Sequence, residues 1–220
     1  MRFYELKNLD EGVYDPHIFK AVFMAGGPGS GKSTVSQNLL QGSGIKFVDL
    51  DRFEEMARAR GLQIDYSDPA AYDRFWQLAQ RQKSNYLMGR LGLLIDGTAK
   101  DLDRILEQKQ MLEGLGYDTA MVFVNTELEI AQQRVLSRAG TQGRLVPADR
   151  VNQSWHAAQR NLGRLQAAFS PNFFIVDNSG AQPRLDSAQK WVHRFLNAPP
   201  HSNEARQWIQ HELAARQSKS

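Results

Sequence analysis

The chain has 220 residues, which is enough for one well-buried α/β domain and too few for two domains of ordinary size. Hydrophobic residues make up 41% and charged residues 23%, which are ordinary globular values and argue against wholesale disorder. The formal net charge of +3 permits a polyanionic partner without requiring one, and the lack of cysteine excludes disulfides, thiolate zinc sites and a cysteine nucleophile. We find no signal-peptide pattern and no run of about 18 apolar residues, so we expect a soluble, cytoplasmic protein without membrane partners.

Five short apolar runs alternate along the chain with segments of helical spacing. They cover residues 20–25, 45–50, 91–96, 119–125 and 172–177. Strands that alternate with helices imply parallel βαβ units with both faces of the sheet covered. The sequence therefore predicts an α/β fold with a five-stranded, mostly parallel sheet and helices on both faces.

The helix signals agree with this order. An apolar stripe at spacings of four and three predicts a long helix over 151–169, and "TELE" places Thr126 as an N-cap with Glu129 three residues later. Two further helices, separated by "APPH", follow the fifth strand. We expect an N-terminal extension (1–19), a central domain (20–180) and C-terminal helices (181–220) that dock on the domain; partner binding by these helices is the alternative.

The segment "GGPGSGKS" lies between the first strand and a helix and satisfies G-x-x-x-x-G-K-[ST], the P-loop. Its glycines let backbone N–H groups turn toward phosphate oxygens, while the following helix presents its positive end. Lys32 would reach the β and γ phosphates, and the Ser33 hydroxyl would bind Mg²⁺. The fold class is therefore a P-loop NTPase. The candidate nucleotide-binding residues are Gly26, Gly27, Gly29, Ser30, Gly31, Lys32, Ser33 and Thr34.

Motifs that are absent from the sequence exclude several classes of P-loop protein. There is no N-K-x-D guanine-reading motif, and the single D-x-x-G, "DNSG", follows the fifth strand, which disfavours a GTPase switch. An ABC-type signature is also absent, and little chain remains for the helical lid of an AAA+ motor. A small kinase that uses ATP and Mg²⁺ is the class that fits best.

Two carboxylates follow predicted strands. Asp51, after "FVDL", is the candidate base that orients or deprotonates an acceptor hydroxyl, although it also fits a helix N-cap. Asp96 ends "LLID" and could help hold Mg²⁺ as a Walker-B-like group, or it could be a turn residue. Thr98 and Lys100 are candidate acceptor contacts, and Thr98 could instead cap the next helix.

Three arginines occupy the stretch from 134 to about 150, which we expect to form a lid. Arg134 and Arg138 are four residues apart on one helix face, and Arg144 lies in a glycine-containing loop. An arginine that closes over the migrating phosphoryl group would stabilise its charge by bidentate contact. A solvated arginine face is the alternative.

Taken in order, these motifs resemble phage-type P-loop kinases of the polynucleotide kinase and zeta-toxin group. The likeness covers about residues 20–178 and rests on "GGPGSGKST", "FVDLDRF", "LLIDGT" and "RVLSRAGTQGRLVP". The resemblance implies that Asp51 activates the acceptor hydroxyl, Arg134 helps hold the triphosphate and Arg138 stabilises the transition state. Arg52 occupies the position where those kinases have a second acidic residue. Arg52 and Arg144 are candidate contacts to the acceptor.

The acceptor is open at this point. Relatives of this kind phosphorylate a polynucleotide 5′ hydroxyl, a hydroxymethylated base in phage DNA, or a sugar hydroxyl of a nucleotide sugar. Residues 67–90 mix aromatic and basic side chains, which suits nucleic acid, although an amphipathic helix with a buried aromatic side would look the same. We favour nucleic acid over a small-molecule acceptor. An ATP-binding regulatory protein without transfer activity is the remaining alternative, and the oligomeric state is open.

Overall fold

The computed structural model describes residues 12–48, 69–142, 147–180 and 185–218. The strands of this part of the chain are β1 (Lys20–Ala25), β2 (Lys46–Val48), β3 (Leu93–Asp96), β4 (Asp118–Asn125) and β5 (Phe173–Asp177). Its helices are α1 (Lys32–Leu40), α2 (Pro69–Met88), α3 (Leu102–Gly114), α4 (Leu128–Gln142), α5 (Ala148–Phe169), α6 (Asp186–Asn197) and α7 (Asn203–Gln217).

The five strands form one sheet in the order β2-β3-β1-β4-β5, and every neighbouring pair is parallel. The predicted α/β fold is confirmed, with a sheet that is parallel throughout. β1 is central, with Met24 beside Asp96 of β3 and Ala25 beside Phe123 of β4. The chain leaves β1 toward β2 and later crosses it to reach β4, so β1 stands at the topological switch point, where open α/β sheets bind ligands.

Alternate residues of each strand face opposite sides of the sheet and supply two separate cores. On one face Phe23, Ile95 and Phe123 pack with α3, α5 and α7; on the other Val22, Met24 and Val122 pack with α1 and α6. Strands buried on both faces read as the near-continuous apolar runs seen in the sequence. The two cores hold the strand ends rigidly at one edge.

The helix boundaries differ from the sequence-based expectation in three places. α5 begins at Ala148, three residues before the predicted stripe, because Pro147 precedes it as the cap residue. The Thr126 prediction is wrong: α4 begins at Leu128, and the Thr126 hydroxyl donates to the carbonyl of Asn178 instead. α4 also continues through Gly140 and Thr141, so the helix extends into the stretch expected to form the lid. A glycine inside a helix is tolerated at a cost of about 1 kcal/mol.

The C-terminal helices pack on both cores. Val192 and Phe195 of α6 are buried in one core, and Trp208 and Ile209 of α7 pack against the other. No helix in the ranges that the structure describes is long and apolar enough to cross a membrane. The division into extension, domain and C-terminal helices stays a prediction.

A buried ion pair joins the amino end of the sheet to the C-terminal region. Lys20 Nζ donates to Asp118 Oδ2 at 2.6 Å, and the two side chains are 1% and 10% exposed. The Lys20 ammonium also lies 5.1 Å from the centre of the Phe195 ring, and His201 contacts Asp118 from the solvent side. Burial of a lysine this deep requires its partner, because an isolated charge in an apolar core is strongly disfavoured.

We expect Asp118→Ala to lower the free energy of unfolding by about 3–5 kcal/mol, because it leaves the Lys20 charge buried without its partner. His201→Ala is the control: it removes the exposed side chain that contacts the same carboxylate and should cost less than about 1 kcal/mol. Urea titration followed by circular dichroism measures both. Equal losses in the two variants would contradict this description of the pair.

Candidate active site at the glycine-rich loop

The loop from Gly26 to Gly31 joins β1 to α1 and packs closely against neighbouring backbone. Gly29 and Gly31 have φ of +77° and +86°, a region that favours glycine. A Cβ on Gly29 would lie 2.2 Å from the carbonyl oxygen of Ala131 in α4, and one on Gly31 would lie 2.2 Å from Asn178 Nδ2. The loop can take this course only because these positions carry no side chain.

Helix α1 begins directly at the loop and lacks the usual capping side chain. Its N-cap is Gly31, which provides no side-chain hydrogen bond, and its first turn contains no acidic residue. The N–H groups of a first turn have no partner within the helix, and the helix dipole adds positive potential there. The loop and the start of α1 therefore form a phosphate-binding geometry.

Asn178, directly after β5, fixes the loop from one side. Its Nδ2 donates to the carbonyl of Ser30 at 2.7 Å, and its backbone N–H donates to the carbonyl of Asn125 at 2.8 Å. We did not predict this residue. The available signal was its position: a short polar side chain directly after an apolar strand, at the carboxyl edge where the loop also lies.

Helix α5 supports the same edge from the opposite core. Trp155 Nε1 donates to the carbonyl of Thr126 at 2.9 Å, and Gln159 Nε2 donates to Asn125 Oδ1 at 2.7 Å. A Cβ on Gly27 would lie 3.4 Å from Trp155. Trp155 lies within the apolar stripe predicted over 151–169, and in the structure it also packs against the loop.

Two buried donors at the loop have no hydrogen-bond partner in the part of the chain that the structure describes. They are Ser30 Oγ and Arg134 Nη1. Arg134 Nη2 lies 3.5 Å from the carbonyl of Gly180, and Nη1 lies 3.6 Å from the Cβ position of Gly31. An unsatisfied buried donor costs about 1–3 kcal/mol and calls for an explanation such as a missing ligand.

The remaining predicted nucleotide contacts lie around these donors. Lys32 Nζ donates to the carbonyls of Gly26 and Gly27 at 2.8 and 3.1 Å, so its ammonium lies over the loop. Ser33 and Thr34 are exposed on the first turn of α1. Arg138 is exposed one turn beyond Arg134 on α4. Arg144 lies outside the described residues.

A cavity of about 320 Å³ opens beside the loop, at the carboxyl ends of β1, β2 and β3 and against α2 and α3. Three predicted residues line it: Asp96 at the end of β3, Thr98 and Lys100. Thr98 does not cap the next helix, because α3 begins at Leu102 and Asp101 accepts from the N–H of Arg104 as its cap. The predicted residues Asp51 and Arg52 lie outside the described residues.

The cavity also contains two cations that sequence reasoning did not single out as site residues. Lys83 of α2 and Arg104 of α3 line it, and neither side chain forms an ion pair within the described ranges. Burial lowers the pKa of the Lys83 ammonium, and the nearby Arg104 charge lowers it further. Two cations that face one cavity and have no ion-pair partner in the described ranges favour an anionic ligand.

The aromatic residues of α2 divide between the cavity and the surface. Tyr86 lines the cavity, while Trp76 is 45% exposed and therefore does not belong to a buried aromatic side. Tyr72 and Phe75 have side chains outside the described set. The helix thus presents one aromatic ring to the cavity and another to solvent.

The described residues contain no group of three or more His, Asp or Glu side chains that could hold a metal ion. Ser33 and Asp96, the two predicted metal contacts, are both exposed at the carboxyl edge of the sheet. A hydroxyl and a carboxylate oxygen are ligand types that Mg²⁺ accepts when phosphate oxygens and water complete its shell.

A parallel sheet ordered 2-3-1-4-5, with a P-loop after its central strand, gives this chain the fold of the P-loop kinases. The sequence model of the zeta toxin family matches residues 14–188, which make up most of the chain. The protein belongs to the zeta toxin family. The comparison with curated proteins found no match.

Solved structures with the same fold are distant in sequence. A protein from Chloroflexus aurantiacus assigned as a kinase shares 18% identity at a TM-score of 0.51, covering 80% of this chain and 98% of that one. The PezAT toxin–antitoxin system of Streptococcus pneumoniae gives 21% identity, a TM-score of 0.52, and 87% and 82% coverage. The Pnkp1/Rnl/Hen1 RNA repair complex gives 21% identity and a TM-score of 0.52, covering 67% of this chain but 46% of that one.

The close approach at Gly29 leads to a test of the loop. Gly29→Ala would place a Cβ 2.2 Å from the Ala131 carbonyl, so we expect the loop to move and ATP affinity to fall at least about tenfold, or 1.4 kcal/mol. Isothermal titration calorimetry measures the affinity.

Gly42→Ala is the matched control. Gly42 has almost the same φ, +76°, but no atom within 4 Å of its Cβ position. It should lose about 1–2 kcal/mol of stability from the left-handed conformation and keep its ATP affinity. If Gly29→Ala bound ATP as well as Gly42→Ala does, the loop would not depend on that contact.

Proposed function

We propose that the protein is a kinase that transfers the γ-phosphate of ATP to an acceptor hydroxyl. The observation that carries the proposal is a pair of buried donors, Ser30 Oγ and Arg134 Nη1, that have no partner among the described residues and lie at a loop with phosphate-binding geometry. Phosphate oxygens would satisfy both donors. Membership of the zeta toxin family supports the same activity.

In this proposal the loop and the first turn of α1 bind the β and γ phosphates of ATP through backbone N–H groups. Lys32 moves from the carbonyls of Gly26 and Gly27 to the phosphates, because an ammonium binds a charged phosphate oxygen more strongly than a neutral carbonyl oxygen. Arg134 contacts the triphosphate from α4. ATP is the nucleotide we propose because the sequence lacks the guanine-reading motif.

Mg²⁺ would be held by the Ser33 hydroxyl and, directly or through water, by the Asp96 carboxylate. Bound there, it would neutralise charge on the β and γ phosphates. The chain's own cations, Lys32 and Arg134, share that task. Once the nucleotide is bound, both side chains are in place before transfer begins, which limits the reorganisation that the transfer requires.

Asp51 is the proposed base, because it follows β2 by three residues in the sequence and β2 ends at the cavity. Its carboxylate accepts the acceptor hydroxyl's proton as the oxygen forms a bond to the γ-phosphorus and the bond from that phosphorus to the β-phosphate oxygen breaks. ADP carries away the electron pair of the broken bond. Arg138, one turn beyond Arg134, would stabilise the charge on the three equatorial oxygens of the migrating group.

The cavity beside the loop is the proposed acceptor site. It lies at the carboxyl ends of β3, which carries Asp96, and of β2, which ends three residues before Asp51 in the sequence. Its cations Lys83, Lys100 and Arg104 favour an acceptor that already bears phosphate. Thr98, Arg52 and Arg144 are further proposed contacts.

We place nucleic acid ahead of a small phosphate-bearing molecule such as a nucleotide sugar. The fold shared with a component of an RNA repair complex and the aromatic rings on α2 support that order. Specific acceptors such as a polynucleotide 5′ hydroxyl or a hydroxymethylated base of phage DNA remain predictions.

Two substitutions separate nucleotide binding from transfer. Lys32→Ala should abolish transfer, since a charge at the phosphates is lost. Asp51→Asn should keep ATP affinity and lose about 10- to 100-fold in the transfer rate, the lower range of general-base effects. Calorimetry measures binding, and labelled phosphate in the acceptor measures transfer. A fully active Asp51→Asn would rule out Asp51 as the base.

Lys83→Gln tests the charge of the acceptor. We expect the KM for a phosphate-bearing acceptor to rise about tenfold with little change in kcat, because the lost contact is made equally before and during transfer. Arg81→Gln is the control: Arg81 is exposed on the same helix and does not line the cavity. A similar rise in both variants would point to general surface charge instead.

The lowered pKa of Lys83 adds a pH dependence to the same test. Its ammonium loses its proton at a lower pH than an ordinary lysine does, so the KM should begin to rise earlier on the alkaline side. Arg104, Lys100, Asp96 and Asp101 line the same cavity, and their charges set the size of the effect. The early rise should be absent from Lys83→Gln, and its persistence there would assign it to another group.

A further inference from the structure

A second concave surface lies outside the nucleotide site and the acceptor cavity. It is an open groove between one face of α5 and the start of α3, which we call the α5 groove. The charged residues that line it are Lys100, Asp101, Asp103, Arg150, Arg160 and Arg164. Nothing in the proposed transfer of phosphate uses its three arginines.

The groove face of α5 flanks its buried stripe. Arg150, Arg160 and Arg164 are exposed, whereas Val151, Ala158 and Leu165 of the same helix are buried. With a rise of 1.5 Å per residue, Arg150 and Arg164 are about 21 Å apart along the axis. That length corresponds to about six nucleotides at the 3.4 Å rise of a B-form strand.

The charged side chains that line the groove do not pair with one another. Four cations, Lys100 and the three arginines, face two carboxylates, Asp101 and Asp103, and in the ranges that the structure describes none of the six forms an ion pair. Asp101 is already engaged as the N-cap of α3. The surplus of positive charge lies on the α5 wall, where an anionic chain would meet it first.

Hydrogen bonds from α5 hold the loop after β3, which forms part of the groove. Asn161 Nδ2 donates to the carbonyls of Ala99 and Lys100 at 2.9 and 3.0 Å, so the loop after β3 is tied to α5. Ala99 has a φ of +60°, a conformation that a non-glycine residue adopts at some cost and that clusters at functional sites. The contact holds Lys100 between the two concave surfaces.

The groove adjoins the proposed acceptor cavity, since Lys100 and Asp101 line both. A chain whose reacting hydroxyl lay beside Asp96 could therefore pass Lys100 and continue along α5. A small acceptor would not extend that far. The repeated cations suit a ligand with repeated negative charges, and the polar Gln153 and Ser154 add donors that phosphodiester and sugar oxygens accept.

We propose that the α5 groove binds the phosphodiester backbone of a single-stranded nucleic acid whose terminal hydroxyl, or a hydroxyl near that end, occupies the acceptor cavity. The inference rests on the proposed kinase function for the identity of the cavity, but the groove itself can be tested without catalysis. In this proposal Arg160 and Arg164 contribute to the affinity for the nucleic acid and to its position along the groove, and they take no part in phosphate transfer.

The test compares two pairs of substitutions in the full-length protein. Arg160→Ala/Arg164→Ala removes two groove cations, and Lys190→Ala/Arg194→Ala removes two exposed cations, also four residues apart, from α6 on the opposite face of the sheet. Fluorescence anisotropy measures binding of a 12-nucleotide single-stranded DNA labelled at its 3′ end, without ATP, over a range of NaCl concentrations.

We expect the groove pair to weaken binding about tenfold and to flatten the slope of log K against log salt by about 1.4, for two lost phosphate contacts at about 0.7 each. The α6 pair should leave affinity and slope within about twofold of the native values. Equal losses in the two pairs, or no loss in the groove pair, would overturn the proposal. So would polyglutamate of equal charge competing as well as DNA does, since that would indicate an acidic protein partner.

A parallel kinase assay keeps the two proposals distinguishable. With a mononucleotide acceptor the groove pair should keep native kcat and KM, and with an oligonucleotide its KM should rise about tenfold. An oligonucleotide KM that stayed native would sink the groove assignment and leave the kinase intact. If no acceptor were phosphorylated while the groove pair still lost DNA affinity, the kinase proposal would fail and the groove would stand.

Discussion

The structure depends on how closely the loop after β1 approaches its neighbours. Gly29 and Gly31 bring the loop backbone to the carbonyl of Ala131 and the side chain of Asn178, at distances that leave no room for a Cβ. This contact ties the central strand, helix α4 and the end of β5 into one edge. Because α4 is held there, Arg134 points at the loop with a buried nitrogen that has no partner in the described part of the chain.

The sheet order explains why donors and cavity lie side by side. β1 lies between β3 and β4, so the phosphate-binding loop borders β4, β5 and α4 on one side and the end of β3 on the other. Asn178 and Arg134 act from the first side, while Asp96 and the cations of the cavity act from the second. Such an arrangement suits a transfer between two ligands, in which positioning and charge stabilisation do most of the work.

The sequence predicted the parts of this arrangement that depend on local pattern. Five apolar runs and a glycine-rich loop were enough for the fold, the loop and the place of Asp96. Residues that act through long-range contact were missed: Asn178 is 148 residues from its partner Ser30, and Lys83 meets Arg104 only after α2 and α3 pack. Thr126 shows the converse error: its local sequence pattern predicted an N-cap, but its hydroxyl donates to the carbonyl of Asn178 instead.

Transfer of phosphate at this edge is the activity to measure first. The protein would be incubated with Mg²⁺, γ-labelled ATP and, separately, a 5′-hydroxyl oligonucleotide, an end-blocked DNA carrying hydroxymethylated pyrimidines, and a nucleotide sugar. We expect label on an acceptor hydroxyl and none with Lys32→Ala. Tight ATP binding with no label on any acceptor would contradict the proposed kinase activity and would favour a nucleotide-binding protein without transfer activity.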